Sequence, residues 1–215
     1  MTVSTAGRLI VFEGIGGSGK TTALRAVADE LRNRDYTVVT TRQPGGTTIG
    51  ERLRQLLLDP AYAPDLNPTA QLFLYAADRY INIEHIIRPA LAAGHIVLCD
   101  RYDHSTHAYQ AAGGGDPAEL ATINHVATRG LKPHRTYWFD VPPATGRERS
   151  AAARRTEHDR FDHEALAFWQ RLHDSYAAQA AADPDQIRRI DTSQPLQAVV
   201  AAVLDDLLAF VEPSR

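Results

Sequence analysis

Cysteine is almost missing from this chain. Cys99 is the only one in 215 residues, beside one methionine and two tryptophans. A lone thiol excludes an internal disulfide and suits a reducing cytoplasm. Because Cys99 closes an apolar run, it reads as buried and inert rather than reactive. Long hydrophobic runs are missing too: no stretch approaches the roughly 20 residues that would span a bilayer. Positive net charge is absent, the formal value being −3. No overall field therefore draws in nucleic acid or an anionic membrane, and neither is expected as a partner. Residues 1–7 lack the form of a signal peptide and are expected to be a frayed tail. Residues 8–215 show no internal repeat and no linker, and read as a single domain.

What is present alternates. Apolar, β-rich runs at 8–12, 37–41, 95–99, 136–141 and, more weakly, 186–190 predict strands. Their nearly continuous hydrophobicity predicts a sheet covered on both faces. Helical patterns lie between them at 20–34, 49–58, 68–81, 83–93, 117–129, 144–153, 163–182 and 195–211. Strands alternating with helices predict an α/β domain with a mainly parallel, doubly wound sheet of about five strands.

Residues 14–21 read Gly-Ile-Gly-Gly-Ser-Gly-Lys-Thr, between a strand and an amphipathic helix. This is the phosphate-binding pattern G-x-x-x-x-G-K-[ST] in its proper context. Gly14, Gly16, Gly17, Ser18 and Gly19 let successive N–H groups turn toward one centre. The following helix aims its positive end at the same place, where Lys20, Thr21 and Thr22 begin it. Lys20 suits the β- and γ-phosphates of ATP, and the Thr21 hydroxyl suits Mg²⁺. Asp100 ends the third strand, at the side of the sheet where ligands gather, and is the second candidate for the metal.

Further segments point to one family. FEGIGGSGKTT at 12–22, TRQPGGT at 41–47, LYAADR at 74–79, DRYDHSTHAYQ at 100–110, FDVPP at 139–143 and DRFD at 159–162 resemble the thymidylate kinase family, bacterial type. The resemblance implies a P-loop kinase that moves the γ-phosphoryl group of ATP to dTMP with Mg²⁺, in the cytoplasm and as a homodimer. It implies that Tyr75 stacks on thymine and Arg79 bonds its O4; four residues apart on a helix, they share a face. It makes Arg101 the clamp on the acceptor phosphate, a task a guanidinium performs with two parallel bonds. It places Ser105, Thr106, Tyr109 and Gln110 beside base and sugar, with Thr106 at N3 and Tyr109 below C2′. Pro44 shapes the acceptor loop, and Arg42 either faces the acceptor phosphate or braces that loop. Residues 147–160 become a mobile lid carrying Arg147, Arg149, Arg154, Arg155 and Arg160. Since the P-loop contains no arginine, Arg154 or Arg155 is expected to neutralise the moving phosphoryl group.

Two positions depart from the family pattern. Gly16 stands where an acidic residue usually bonds the 3′-hydroxyl of the acceptor, and Gln43 stands where glutamate is usual. A charged hydrogen bond lost in this way is worth about 1.5–3 kcal/mol, or roughly ten- to a hundredfold in binding. Alternative readings are therefore a kinase of the same fold for a modified deoxynucleoside monophosphate, and a P-loop protein that binds ATP without transfer.

Overall fold

The computed structural model describes residues 7–153, 161 and 164–211. Five parallel strands, β1 (Arg8–Glu13), β2 (Val38–Arg42), β3 (Ile96–Asp100), β4 (Arg135–Asp140) and β5 (Ile187–Asp191), lie in the order β2-β3-β1-β4-β5. The expected doubly wound parallel sheet is thus present.

Successive side chains of a strand point to opposite faces, and β1 follows this rule. Ile10 and Phe12 pack with α1 (Lys20–Arg32) and α9 (Leu196–Val211), against Leu24, Val27, Leu31, Val203 and Leu207. Leu9 and Val11 face the other way, into a cluster with Ile83, Ile87, Val97 and Cys99. Below β4, Trp138 meets Phe168, Trp169, Leu172 and Tyr176 of α8 (Leu166–Ala182). Each such side chain taken fully from water contributes about 1.5–3 kcal/mol. The central strand is apolar and fully buried on both faces from Leu9 to Phe12.

Local chemistry sets the helix starts. Thr47 accepts from the Gly50 N–H and opens α2 (Thr48–Leu58). Asn67 accepts from Ala70 and Pro68 takes the first position of α3 (Pro68–Asn82), as Asp116 and Pro117 do for α6 (Pro117–Thr128). The chain does not break after α3. It continues through a wide π-turn at Ile83–Ile87 into α4 (Arg88–Ala92), with the Arg88 N–H bonded to Ile83 O. Pro89 has no N–H to offer the preceding turn, and the widened ladder accommodates that loss.

One helix was not expected: α5 (Asp103–Ala112). Its buried face carries Ser105, Thr106 and Gln110 beside Ala108, so no apolar period announces it. The remaining helix, α7 (Pro143–Ala153), opens the predicted lid; Arg154, Arg155 and Arg160 lie outside the described residues, as does the tail up to residue 6. No helix among the described residues is long and apolar enough to cross a membrane.

Candidate active site

Parallel register brings three loops to one level. Phe12 pairs with Asp100, and Asp100 pairs with Arg42. The turns leaving β1, β3 and β2 therefore emerge side by side at the C-terminal edge, where the strand order changes direction.

The turn after β1 is the P-loop. Gly19 holds φ 85°, a left-handed conformation, and releases the chain into α1. Gly17 is also left-handed at φ 71°, and a Cβ there would meet Gly146 O at 2.1 Å. Glycine thus lets α7, which opens the predicted lid, rest directly on the P-loop. An open cleft of about 980 Å³ lies over this turn, lined by Gly16, Gly17, Gly19, Lys20, Thr21, Thr22, Arg42, Asp100 and Arg149 among others. Lys20 Nζ donates to Ile15 O at 3.1 Å, and the Thr21 hydroxyl donates to Asp100 Oδ2. Ser18 is buried behind the loop, its hydroxyl without a hydrogen-bond partner among the described residues. Gly14 offers its carbonyl to Arg101 rather than lining the cleft.

A second pocket, about 650 Å³, adjoins the first. Pro44, Tyr75, Arg79, Arg101, Ser105, Thr106, Tyr109 and Gln110 all line it, from three separate segments of the chain. The two cavities share Gly16, Gln43, Arg54, Arg101 and Ser150, which form the seam between them.

Arg101 is held at this seam by its backbone and by its neighbours. It lies beyond the end of β3, with φ 71°, so the alternation of a strand does not orient it. For a non-glycine residue this conformation costs about 1–2 kcal/mol. The bond from its N–H to Phe12 O, at 2.9 Å, helps hold it. Its guanidinium donates to Gly14 O, Ser105 Oγ and Tyr176 OH from Nη1, and to Tyr109 OH from Nη2. Glu13 anchors the same cluster, accepting from Ser105 Oγ at 2.7 Å, from Tyr176 OH at 2.9 Å and from the Tyr102 N–H at 2.8 Å. Burial alone would lower the Arg101 pKa, but the oxygens of Tyr109, Tyr176, Glu13 and Asp100 outweigh it and raise the value above the ordinary one. Arg101 is a permanent cation.

The floor of the second pocket is a buried polar lattice. Arg79 donates through Nε to Gln43 Oε1 at 2.9 Å and through Nη1 to Thr106 Oγ1 and Asn124 Oδ1. Through Nη2 it donates to Tyr102 O at 2.7 Å. Gln43 therefore uses its amide carbonyl where a glutamate would place a charge. Asn82 ties the lattice to the acceptor loop through Thr41, Arg42 O and Gly45 O. Arg42 braces that loop through Glu51, with Nη2 to Oε2 at 2.7 Å, and the same guanidinium holds the Glu51 carboxyl below its usual range.

Several of these residues escape sequence reasoning. Arg54, Ser150 and Trp169 line the cavities, and Glu13, Asn82, Asn124 and Tyr176 position what lines them. Arg54 could have been found by its place on α2 directly after the acceptor loop. Glu13 and Tyr176 are 163 residues apart and carry no local signal. The described groups hold no cluster of three or more metal-ligating side chains. Thr21 and Asp100 nevertheless supply two adjacent oxygens, which fits a cation that takes its other ligands from phosphate and water.

Comparison with known proteins gives a consistent result. The family model for thymidylate kinase matches residues 12–203. The thymidylate kinase of Synechococcus sp. (strain JA-2-3B'a(2-13)) is 44% identical over 205 residues, 95% of this chain and 94% of that protein. That of Latilactobacillus sakei subsp. sakei (strain 23K) is 45% identical over 200 residues, 92% of this chain and 93% of its own. Among solved structures, thymidylate kinase from Ehrlichia chaffeensis superposes with a TM-score of 0.77 at 29% identity, covering 94% of this chain and 99% of that one.

Proposed function

The chain belongs to the thymidylate kinase family, an enzyme that phosphorylates dTMP to dTDP at the expense of ATP, and on that premise we propose how its residues carry the reaction. ATP lies in the cleft over the P-loop and dTMP in the adjoining pocket, end to end across the seam. The observation that carries this reading is the seam itself: Arg101 borders both cavities and is fixed there by Glu13, Ser105, Tyr109 and Tyr176.

An oxygen of the dTMP phosphate attacks the γ-phosphorus of ATP. The bond from that phosphorus to the β–γ bridging oxygen breaks, giving dTDP and ADP. The acceptor is already a nucleophile, so positioning and charge neutralisation are the protein's tasks. Arg101 aligns the acceptor phosphate, with Arg54 beside it. Lys20 and the P-loop amides hold the β- and γ-phosphates. Arg149 reaches the phosphate cleft from the lid, and Arg154 or Arg155 completes the neutralisation. Thr21 and Asp100 would hold Mg²⁺, which would supply positive charge to neutralise the donor phosphates. Tyr75 and Thr106 receive the thymine beside the fixed Arg79, and Pro44, Tyr109 and Gln110 shape the rest of the pocket.

The described residues and the adjoining lid act as one kinase domain. A homodimer is supported by an apolar surface shared by α3 and α6, where Phe73 is 59%, Tyr80 42% and Val126 66% exposed. A cytoplasmic location is supported by cysteine usage: Cys99 is the single cysteine and is free, so no internal disulfide is built in.

Coupled measurement of ADP release tests the reaction. Turnover requires dTMP, and Lys20→Ala and Arg101→Ala each lower kcat/KM by about 10²–10³-fold while far-UV circular dichroism stays unchanged. Near-normal rates in either variant contradict these roles.

A further inference from the structure

The P-loop position without a side chain is not an empty one. A Cβ built on Gly16 would meet Trp169 Cη2 at 2.9 Å, Ser150 Oγ at 3.0 Å and Trp169 Cζ3 at 3.1 Å. Any side chain at position 16 would need the space that the benzo edge of the indole already fills. Trp169 is only 2% exposed and packs in a cluster with Ile15, Trp138 and Phe168, so it cannot swing aside cheaply. Its buried indole N–H bonds to no acceptor among the described residues. Trp169 is therefore held here by shape and not by a hydrogen bond.

This wall faces a particular part of the acceptor. A nucleotide with its base by Tyr75 and its phosphate at Arg101 carries its sugar between them, past Gly16, Trp169, Ser150 and Tyr109. Deoxyribose has a single hydroxyl, at C3′. Asp78 is the carboxylate that lines this pocket. Its Oδ1 accepts from the Gly45 N–H at 2.8 Å, and its Oδ2 is buried without a hydrogen-bond partner among the described residues. Asp78 is held on the acceptor-loop side, and the residues against Gly16 supply no carboxylate; there the sugar meets an aromatic edge and the Ser150 hydroxyl.

Resting on the reaction given above, we propose that Trp169, paired with Gly16, sets selection at the sugar of the acceptor. It makes a neutral wall against C3′, and the enzyme takes 3′-deoxy acceptors almost as readily as dTMP. A carboxylate bonded to that hydroxyl would separate the two by about ten- to a hundredfold or more, a neutral contact by less than about tenfold.

The test compares kcat/KM for dTMP and for 2′,3′-dideoxythymidine 5′-monophosphate with ATP. A ratio below about tenfold is expected, and a larger one overturns the proposal. Trp169→Phe, which shortens the ring edge against Gly16, is expected to raise the efficiency with 3′-azido-3′-deoxythymidine 5′-monophosphate relative to dTMP by at least about threefold. An unchanged ratio also overturns it. Each ratio is taken within one preparation, so a reduced folded fraction cancels, and the first comparison needs no variant. Absence of ADP release with dTMP would overturn the reaction itself, and this inference with it.

Discussion

Asp78 shows how far one side chain can be shaped by its position. It precedes Arg79 on α3, and its carboxyl supports the acceptor loop through the Gly45 N–H. Burial pushes its pKa up to about 7, against that bond and the nearby charges of Arg79 and Arg54. The ordinary value, 3.8, describes the unfolded chain. The folded protein thus holds the proton more tightly. The resulting stabilisation is full below the unfolded pKa and is lost as pH rises through about 7. Asp78→Asn keeps the acceptor for Gly45 and cannot ionise. Its melting temperature should change less than the parent's between pH 4 and pH 8, and at pH 8 should equal or exceed it. Parallel melting profiles for the two proteins would contradict this account of Asp78.

At the scale of elements, the sequence discloses what local chemistry dictates. The P-loop was legible because glycine spacing, a preceding strand and a following helix all lie within about 25 residues. The five strands were legible from apolar runs, and most helices from period and caps. Helix α5 was not, because its inward face bonds through Ser105 and Thr106 and buries only small Ala108 among apolar side chains. Arg79 could be placed on one face with Tyr75. Its partners Gln43, Tyr102, Thr106 and Asn124 come from three other parts of the chain, and only folding brings them together. The orientation of Arg101 was likewise out of reach, since it follows from a left-handed backbone and not from strand alternation. Helices α3 and α6 carry the remaining question. Phe73 and Tyr80 are two helical turns apart and so share a face, and Val126 is exposed on α6, which packs against that helix. A second copy of the chain is the expected cover. Sedimentation should give a dimer for the parent and a monomer for the double variant Phe73→Asp, Val126→Asp. A monomeric parent would contradict the assignment.

Taken whole, the described residues form a parallel sheet whose C-terminal edge presents two adjoining cavities, with α7 resting on the P-loop through Gly17 and Gly146. The division of labour follows from that layout. One cavity is bordered by backbone and Lys20, suited to a polyphosphate. The other has a fixed polar floor, suited to a single base. In the proposed reaction, selection and transfer both depend on the narrow stretch where Gly16, Arg101 and Ser150 border both cavities. That continuity can be probed in a single titration of the protein with a molecule joining adenosine and thymidine, 5′ to 5′, through five phosphates. If donor and acceptor sites run end to end, calorimetry will show one such molecule per chain, bound at least about 10²-fold more tightly than ATP or dTMP alone. Affinity no better than that of ATP would mean that the two cavities do not form one continuous site.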